Sequence, residues 1–160
     1  MRKLFLRKIQ IGDKKYFAKW WRDKKLRKLT SGILKPILDK EVEKYFLNMF
    51  KSEKDYHFII GLNKQVIGHI SLVKRNMGWY ETQIIIGEEK YWNKGYGTKA
   101  IQMTIKKAKQ LGIPKIFLRV RPNNLRAIKA YEKCGFIKVG IKKYPENKYL
   151  PEILRMKFKS

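Results

Sequence analysis

Between residues 91 and 100 the chain reads YWNKGYGTKA, with Gly95 and Gly97 one residue apart and Lys94, Thr98 and Lys99 around them. Glycines let a main chain approach an anion closely, and the free N–H groups at the start of a helix point toward one. A phosphate cradle is the chemistry this stretch could perform. Gly95, Gly97 and Ala100 formally fit the dinucleotide fingerprint G-x-G-x-x-A, which alone is a short and common pattern. A P-loop needs G-x-x-x-x-G-K-[ST], and this stretch lacks that spacing. A Rossmann domain needs an acid about 20 residues further on to hold ribose hydroxyls; the next strand carries Arg119 and Arg121 instead. Both readings fail.

A second constellation is NLRAIKAYEKCGF, residues 124–136. On a helix, Asn124, Ala127, Tyr131 and Glu132 lie along adjacent turns, so Asn124 and Tyr131 can face one ligand. Taken alone, the same residues make an ordinary amphipathic helix with a core tyrosine and a glycine stop. Gly97 and Asn124 stand about 27 residues apart, with one strand between.

Elements must hold these residues in place. Residues 3–11 alternate loosely and predict a first strand. Asp13 can cap a helix running to about Lys28, with Trp20 and Trp21 packed inward, and Asp39 a second one, where Val42, Tyr45, Phe46 and Met49 share a face. HFIIGLNKQVIGHISLV predicts a hairpin turning at NKQ, and ETQIIIG a further strand. The glycine stretch opens a helix with Ile101, Thr104, Ile105 and Ala108 on one side, ended by Gly112 and Pro114. IFLRV is a strand, Leu125 to Cys134 a helix capped by Asn123 or Asn124 and stopped by Gly135, and FIKVG and EILRMKF close the chain. The order β-α-α-β-β-β-α-β-α-β-β predicts an α/β domain over residues 1–160: a central mixed sheet flanked by helices.

With both motifs in place the chain resembles the GNAT superfamily of N-acetyltransferases over most of its length. Their pyrophosphate loop, [QR]-x-x-G-x-[GA], falls on Trp92-Asn93-Lys94-Gly95-Tyr96-Gly97, and their N-x-x-A-x-x-x-Y-x-x-x-G-F on Asn124, Ala127, Tyr131, Gly135 and Phe136. Trp92 departs from the usual Gln or Arg; an aromatic occurs in the branch resembling ribosomal-protein alanine acetyltransferases. Asn93 replaces a glycine of that version. The resemblance implies a single GNAT-like domain with a mostly antiparallel sheet and acetyl-CoA as acetyl donor to a primary amine. It implies Ile84, Ile85 and Ile86 as the strand that pairs with pantetheine, and Asn93, Lys94, Gly95, Tyr96, Gly97 and Thr98 as the wrap around the pyrophosphate. Asn124 would hold the pantetheine arm, and Tyr131 would protonate the departing sulfur, because a phenol keeps its proton at neutral pH. Glu81, opening the ETQIIIG strand, is either the general base or a solvated strand-end acid. Glu152 is placed to contact substrate.

Composition bounds the rest. The chain carries 39 Lys and Arg against 13 Asp and Glu, a formal net charge of +26. Such a field attracts RNA, DNA, acidic lipid or an anionic cofactor, or it decorates a solvated surface. The KWWRDKKLRK segment concentrates it, so RNA or ribosome association is one expectation, and a basic RNA-binding protein without catalysis is the rival function. Few acids suit a polycationic acceptor poorly; a protein N-terminal amine, an amino sugar or an amino acid fits better. No run is long enough to span a membrane. The single cysteine, Cys134, sits at a helix C-terminus as a packing residue and suggests the reducing cytoplasm. His57 and His69 lack partners at metal spacing, so no metal is expected.

Overall fold

A computed structural model describes residues 2–159. Seven strands, β1 (Leu4–Lys8), β2 (Tyr56–Leu62), β3 (Gln65–Lys74), β4 (Trp79–Ile86), β5 (Lys115–Val120), β6 (Phe136–Lys143) and β7 (Glu152–Phe158), form one sheet in the order β1-β2-β3-β4-β5-β7-β6. Every neighbouring pair is antiparallel except β4 and β5. Five helices, α1 (Lys14–Arg22), α2 (Lys24–Leu29), α3 (Asp39–Lys51), α4 (Tyr96–Gln110) and α5 (Leu125–Lys133), cover it. Successive strand residues point to opposite faces, so neighbours on β2 serve different cores. Ile60 joins the cluster built on Ile101, Ile105 and Ile128 of α4 and α5; Ile59 joins Phe17, Trp20, Leu26 and Phe46 of α1–α3.

The predicted helix from Asp13 to Lys28 is two helices. Asp23 breaks it: its main chain turns extended, and its carboxylate accepts from the Leu26 N–H to start α2. Asp13 stands at the N-cap position of α1, but its side chain makes no capping hydrogen bond. Its buried carboxylate takes both guanidinium arms of Arg7, at 2.8 Å each, and the Gln10 N–H. On α3 the cap residue is Leu38; Glu41, not Asp39, reaches back to its N–H, while Asp39 pairs with Arg22. The hairpin turns at Asn63 and Lys64, Asn63 adopting a positive φ of 55°. Ile101, Thr104, Ile105 and Ala108 are buried together, as their spacing predicts.

One feature of the sheet matters most for function. Trp79, Tyr80 and Glu81 pair with Lys115, Ile116 and Phe117, and there the pairing of β4 with β5 stops. Beyond Glu81 the two strands diverge, each keeping only its outer neighbour, β3 or β7. The α4 and α5 helices start just after the diverging ends. Ligands in open α/β sheets bind in such crevices at the carboxyl ends of strands.

Candidate active site

The gap between β4 and β5 opens into a cavity of about 700 Å³, within the range of small-molecule sites. Its floor is β4 from Glu81 to Ile86 and the end of β5. Ile84, Ile85 and Ile86 are only half-buried, although a strand in mid-sheet would ordinarily cover three isoleucines. With β5 gone, main-chain groups on this side of β4 have no strand partner. They can pair with an extended, amide-bearing ligand as a neighbouring strand would.

The glycine loop stands at the end of that edge. Asn93 and Gly95 take positive φ values of 58° and 83°, which turn the chain into α4 with Gly95 as its cap residue. The first N–H groups of a helix have no partner within it. Gly97 is different: its φ is ordinary, and a methyl group there would meet only the Ile86 side chain at 3.9 Å. Neither strain nor packing requires a glycine; it leaves the cavity wall bare, which suits a bulky phosphate lying against the helix start. Asn93, Gly95, Tyr96, Gly97 and Thr98 line the cavity; Lys94 points out of it and is exposed. Trp92 donates its indole N–H to the Ile86 carbonyl at 2.9 Å, and the Arg126 guanidinium stacks 4.0 Å above its ring. The departure at Trp92 therefore closes the end of β4 and holds a cation at the cavity.

Asn124 and Tyr131 reach the same cavity from α5. Asn124 caps the helix, its side-chain oxygen accepting from the Ala127 N–H at 3.3 Å, which leaves its amide hydrogens free to donate. Tyr131 is buried, and burial pushes its phenol up to about 12. It keeps its proton across the physiological range.

Among the described residues Glu81 is the only carboxylate lining the cavity, and it is no solvated strand-end acid: it sits third on β4 and is 2% exposed. Oε1 accepts from Arg75 at 2.6 and 3.0 Å and from Arg119 at 3.1 Å; Oε2 accepts from Arg119 at 2.7 Å. Burial pushes its pKa up, but the hydrogen bonds and charges of the two guanidiniums outweigh that and hold it below the ordinary carboxylate value. The far end of the cavity is built from α1, α2, the connection between α2 and α3, the end of β5 and the loop before β7, with Trp20, Trp21, Leu26, Arg27, Arg119 and Arg121 in its lining. Glu152 is exposed and outside the lining; its neighbour Ile153 is inside. Arg126 escaped the sequence reading, although it lies between the matched Asn124 and Ala127; Arg27 was read only as part of the basic segment expected to meet RNA, not as a residue of this cavity.

Other candidates lie elsewhere. His57 and His69 stack 5.3 Å apart, with His57 Nδ1 3.1 Å from His69 Nε2, on the sheet face covered by Phe17. Burial, then the neighbouring His57, pushes His69 down to about 3; burial also lowers His57. Among the described residues no group of three or more His, Cys, Asp or Glu side chains could hold a metal ion, and no helix is long and apolar enough to cross a membrane. Cys134 is half-buried beside the Thr98 carbonyl, its thiol pushed up to about 11. In the basic segment, Lys19, Arg22 and Lys25 are paired with Glu88, Asp39 and Glu89.

Known proteins share this architecture. The spermidine N-acetyltransferase from Vibrio cholerae, crystallised with CoA and spermine, superposes with a TM-score of 0.82 at 23% identity, covering 97% of this chain and 94% of that one. An uncharacterized protein of Methanocaldococcus jannaschii is 26% identical over 153 residues, which are 94% of this chain but 31% of that protein. An aminoglycoside N(6')-acetyltransferase type 1 of Klebsiella pneumoniae is 24% identical over 147 residues, 84% of this chain and 69% of that enzyme. The chain thus spans about a third of the archaeal relative's length. The acetyltransferase (GNAT) domain family matches residues 3–137, covering both the loop and the α5 motif. The chain belongs to the GNAT acetyltransferase family.

Proposed function

We propose that this protein transfers an acetyl group from acetyl-CoA to a primary amine by direct attack of the amine on the thioester. The observation that carries the reading is a meeting of three features in one cavity: the unpaired edge of β4, the bare wall at Gly97 and the buried phenol of Tyr131. Acetyl-CoA supplies an activated acetyl group and a thiolate that can leave. Ile84–Ile86 offer main-chain partners for its amide-bearing arm, and one N–H there takes up the charge that develops on the carbonyl oxygen. Asn93 and Gly95–Thr98 receive the pyrophosphate at the start of α4, and Asn124 donates its amide hydrogens to the arm. Lys94, exposed at the rim, adds charge without direct contact. Tyr131 holds a proton for the leaving sulfur, and the proton the amine loses makes that good.

In this reading Glu81 anchors Arg119 and contributes little as a base. A carboxylate engaged by two guanidiniums and held below its ordinary pKa binds a proton weakly. The amine must then arrive neutral, which favours an α-amine with a pKa of about 7.7–8.0 over a lysine amine at about 10.4. A protein N-terminus, as in the ribosomal-protein alanine branch, and an amino sugar are acceptors of that kind; a free amino acid, whose own carboxylate raises its α-amine, falls between them and a lysine. The half-buried single cysteine is compatible with the reducing cytoplasm. The rival, RNA or ribosome binding without catalysis, draws on the +26 charge, but its densest segment spends Lys19, Arg22 and Lys25 on local acids. The deciding experiment is calorimetry with acetyl-CoA followed by thiol release on adding amines. Saturable binding and amine-dependent release are expected; no heat with acetyl-CoA overturns the proposal.

A further inference from the structure

The charges around the acceptor end do not match those needed for a polycation. Among the described residues Glu81 is the only carboxylate lining the cavity, and it is shared between Arg75 and Arg119, so that cluster keeps one positive charge in excess. Arg27 and Arg121 face the same space, and neither takes part in any salt bridge among the described residues. Their only hydrogen-bond acceptors there are main-chain carbonyls. Arg121 donates from Nε to Thr30 at 2.7 Å and from Nη2 to Tyr149 at 2.6 Å, while Arg27 donates from Nη1 to Lys35 at 2.6 Å.

These bonds fix the guanidiniums without neutralising them. The turn Thr30–Gly32 lies between the two: the Gly32 N–H donates to the Arg27 carbonyl, and Gly32 packs directly on Arg121. Arg121 is half-buried, which lowers its pKa by desolvation, and its charge has no carboxylate partner among the described residues. A guanidinium oriented in this way presents its remaining N–H groups as a fork that fits a carboxylate or phosphate. The rest of the wall, Trp20, Trp21, Leu26, Leu29, Ile37 and Leu150, is apolar or aromatic and can seat a compact frame.

We infer that the acceptor is a small primary amine that also carries an oxyanion, a carboxylate or a phosphate, and that Arg121 and Arg27 receive this group. The inference rests on the acetyl-transfer reading above and narrows it to a substrate class opposite in charge to spermidine and the aminoglycosides. An anion docked on Arg121 also draws together the two loops that Arg121 already ties, at Thr30 and Tyr149. A polycation meets three uncompensated positive charges and no free acid.

The test offers the full chain, with acetyl-CoA, amines of similar basicity that differ in charge: glucosamine 6-phosphate against glucosamine, phenylalanine against phenylalaninol, and spermidine and kanamycin as polycations. The oxyanion member of at least one pair should win by about tenfold or more in kcat/KM, the size of one or two charged hydrogen bonds. The responding pair tells phosphate from carboxylate. Arg121→Gln and Arg27→Gln, made separately, should collapse that ratio through KM for the amine while KM for acetyl-CoA holds. Arg121→Gln also loosens two loops, so the wild-type panel and Arg27→Gln decide should that variant fail to fold. Preference for a neutral or polycationic amine overturns the inference, as does a ratio that survives both substitutions. Calorimetry without amine separates the two failures: no heat with acetyl-CoA sinks the acetyl-transfer reading and this inference together, whereas normal heat with the wrong preference sinks this inference alone.

Discussion

The two ends of the cavity are made in different ways. The end proposed for the donor is main chain: the free edge of β4, the first N–H groups of α4 and a glycine that presents no side chain. The end proposed for the acceptor is side chains from α1, α2, β4, β5 and the loop before β7, held by ion pairs and carbonyl contacts. Main-chain recognition constrains a short local stretch, because glycine placement and the strand-to-helix turn must coincide. Side-chain recognition can be assembled from anywhere the fold brings together. The first leaves a motif; the second leaves only a geometry.

Substitutions can test whether the two ends are as separate as they look. The largest effect should come where they meet. Tyr131→Phe keeps the buried ring but removes the proton donor, and turnover should fall by about 10²–10⁴ with acetyl-CoA affinity unchanged. A near-normal rate would make Tyr131 a packing residue. Gly97→Val should act on the donor end alone. Its φ is ordinary and its surroundings open, so the melting temperature should hold while acetyl-CoA affinity drops by about 10- to 100-fold, as binding must now displace a side chain worth about 1–3 kcal/mol of overpacking. Equal affinity in calorimetry would move the pyrophosphate elsewhere.

Acid should separate the ends more gently. His57 and His69 are held neutral in the face that carries α1–α3, with His69 at about 3. The unfolded chain takes up their protons below about pH 6.5 and the folded chain does not. Stability is therefore full above about pH 6.5 and falls as pH drops toward about 3, by at most about 1.4 kcal/mol per pH unit for each histidine. Urea midpoints between pH 7.5 and 5, compared with those of His69→Gln, measure it; a wild-type curve as flat as that of the variant would show the pair is not what titrates.

The strands and the last two helices were legible because their periodicity agrees with their tertiary burial, as at Ile101, Thr104, Ile105 and Ala108. That the glycine loop and Tyr131 share one cavity was legible from a pair of motifs. The N-terminal helices were less so. Asp13 and Asp39 look like caps, but each finds an arginine, a stronger partner than the helix start. Asp23, in the middle of a basic run, was the true break. Glu81 could be picked out as an acid on β4; that Arg119 would claim it depends on the parallel pairing of β4 with β5, which no local pattern encodes, whereas Arg75 reaches it from the connection between β3 and β4, only six residues away.

That short pairing also bears on how the molecule comes apart. Within the sheet, the half made by β1–β4 and the half made by β5–β7 are stitched only at Trp79–Glu81 and Lys115–Phe117. A seam of that length is a natural boundary between cooperative units, so the halves can open by routes short of global unfolding. A donor molecule lying along the free edge of β4 would lengthen the seam by its own hydrogen bonds, and binding would tighten the coupling between halves as well as raise their stability. A ligand in that gap would then add to a seam that the protein itself makes only three residues long.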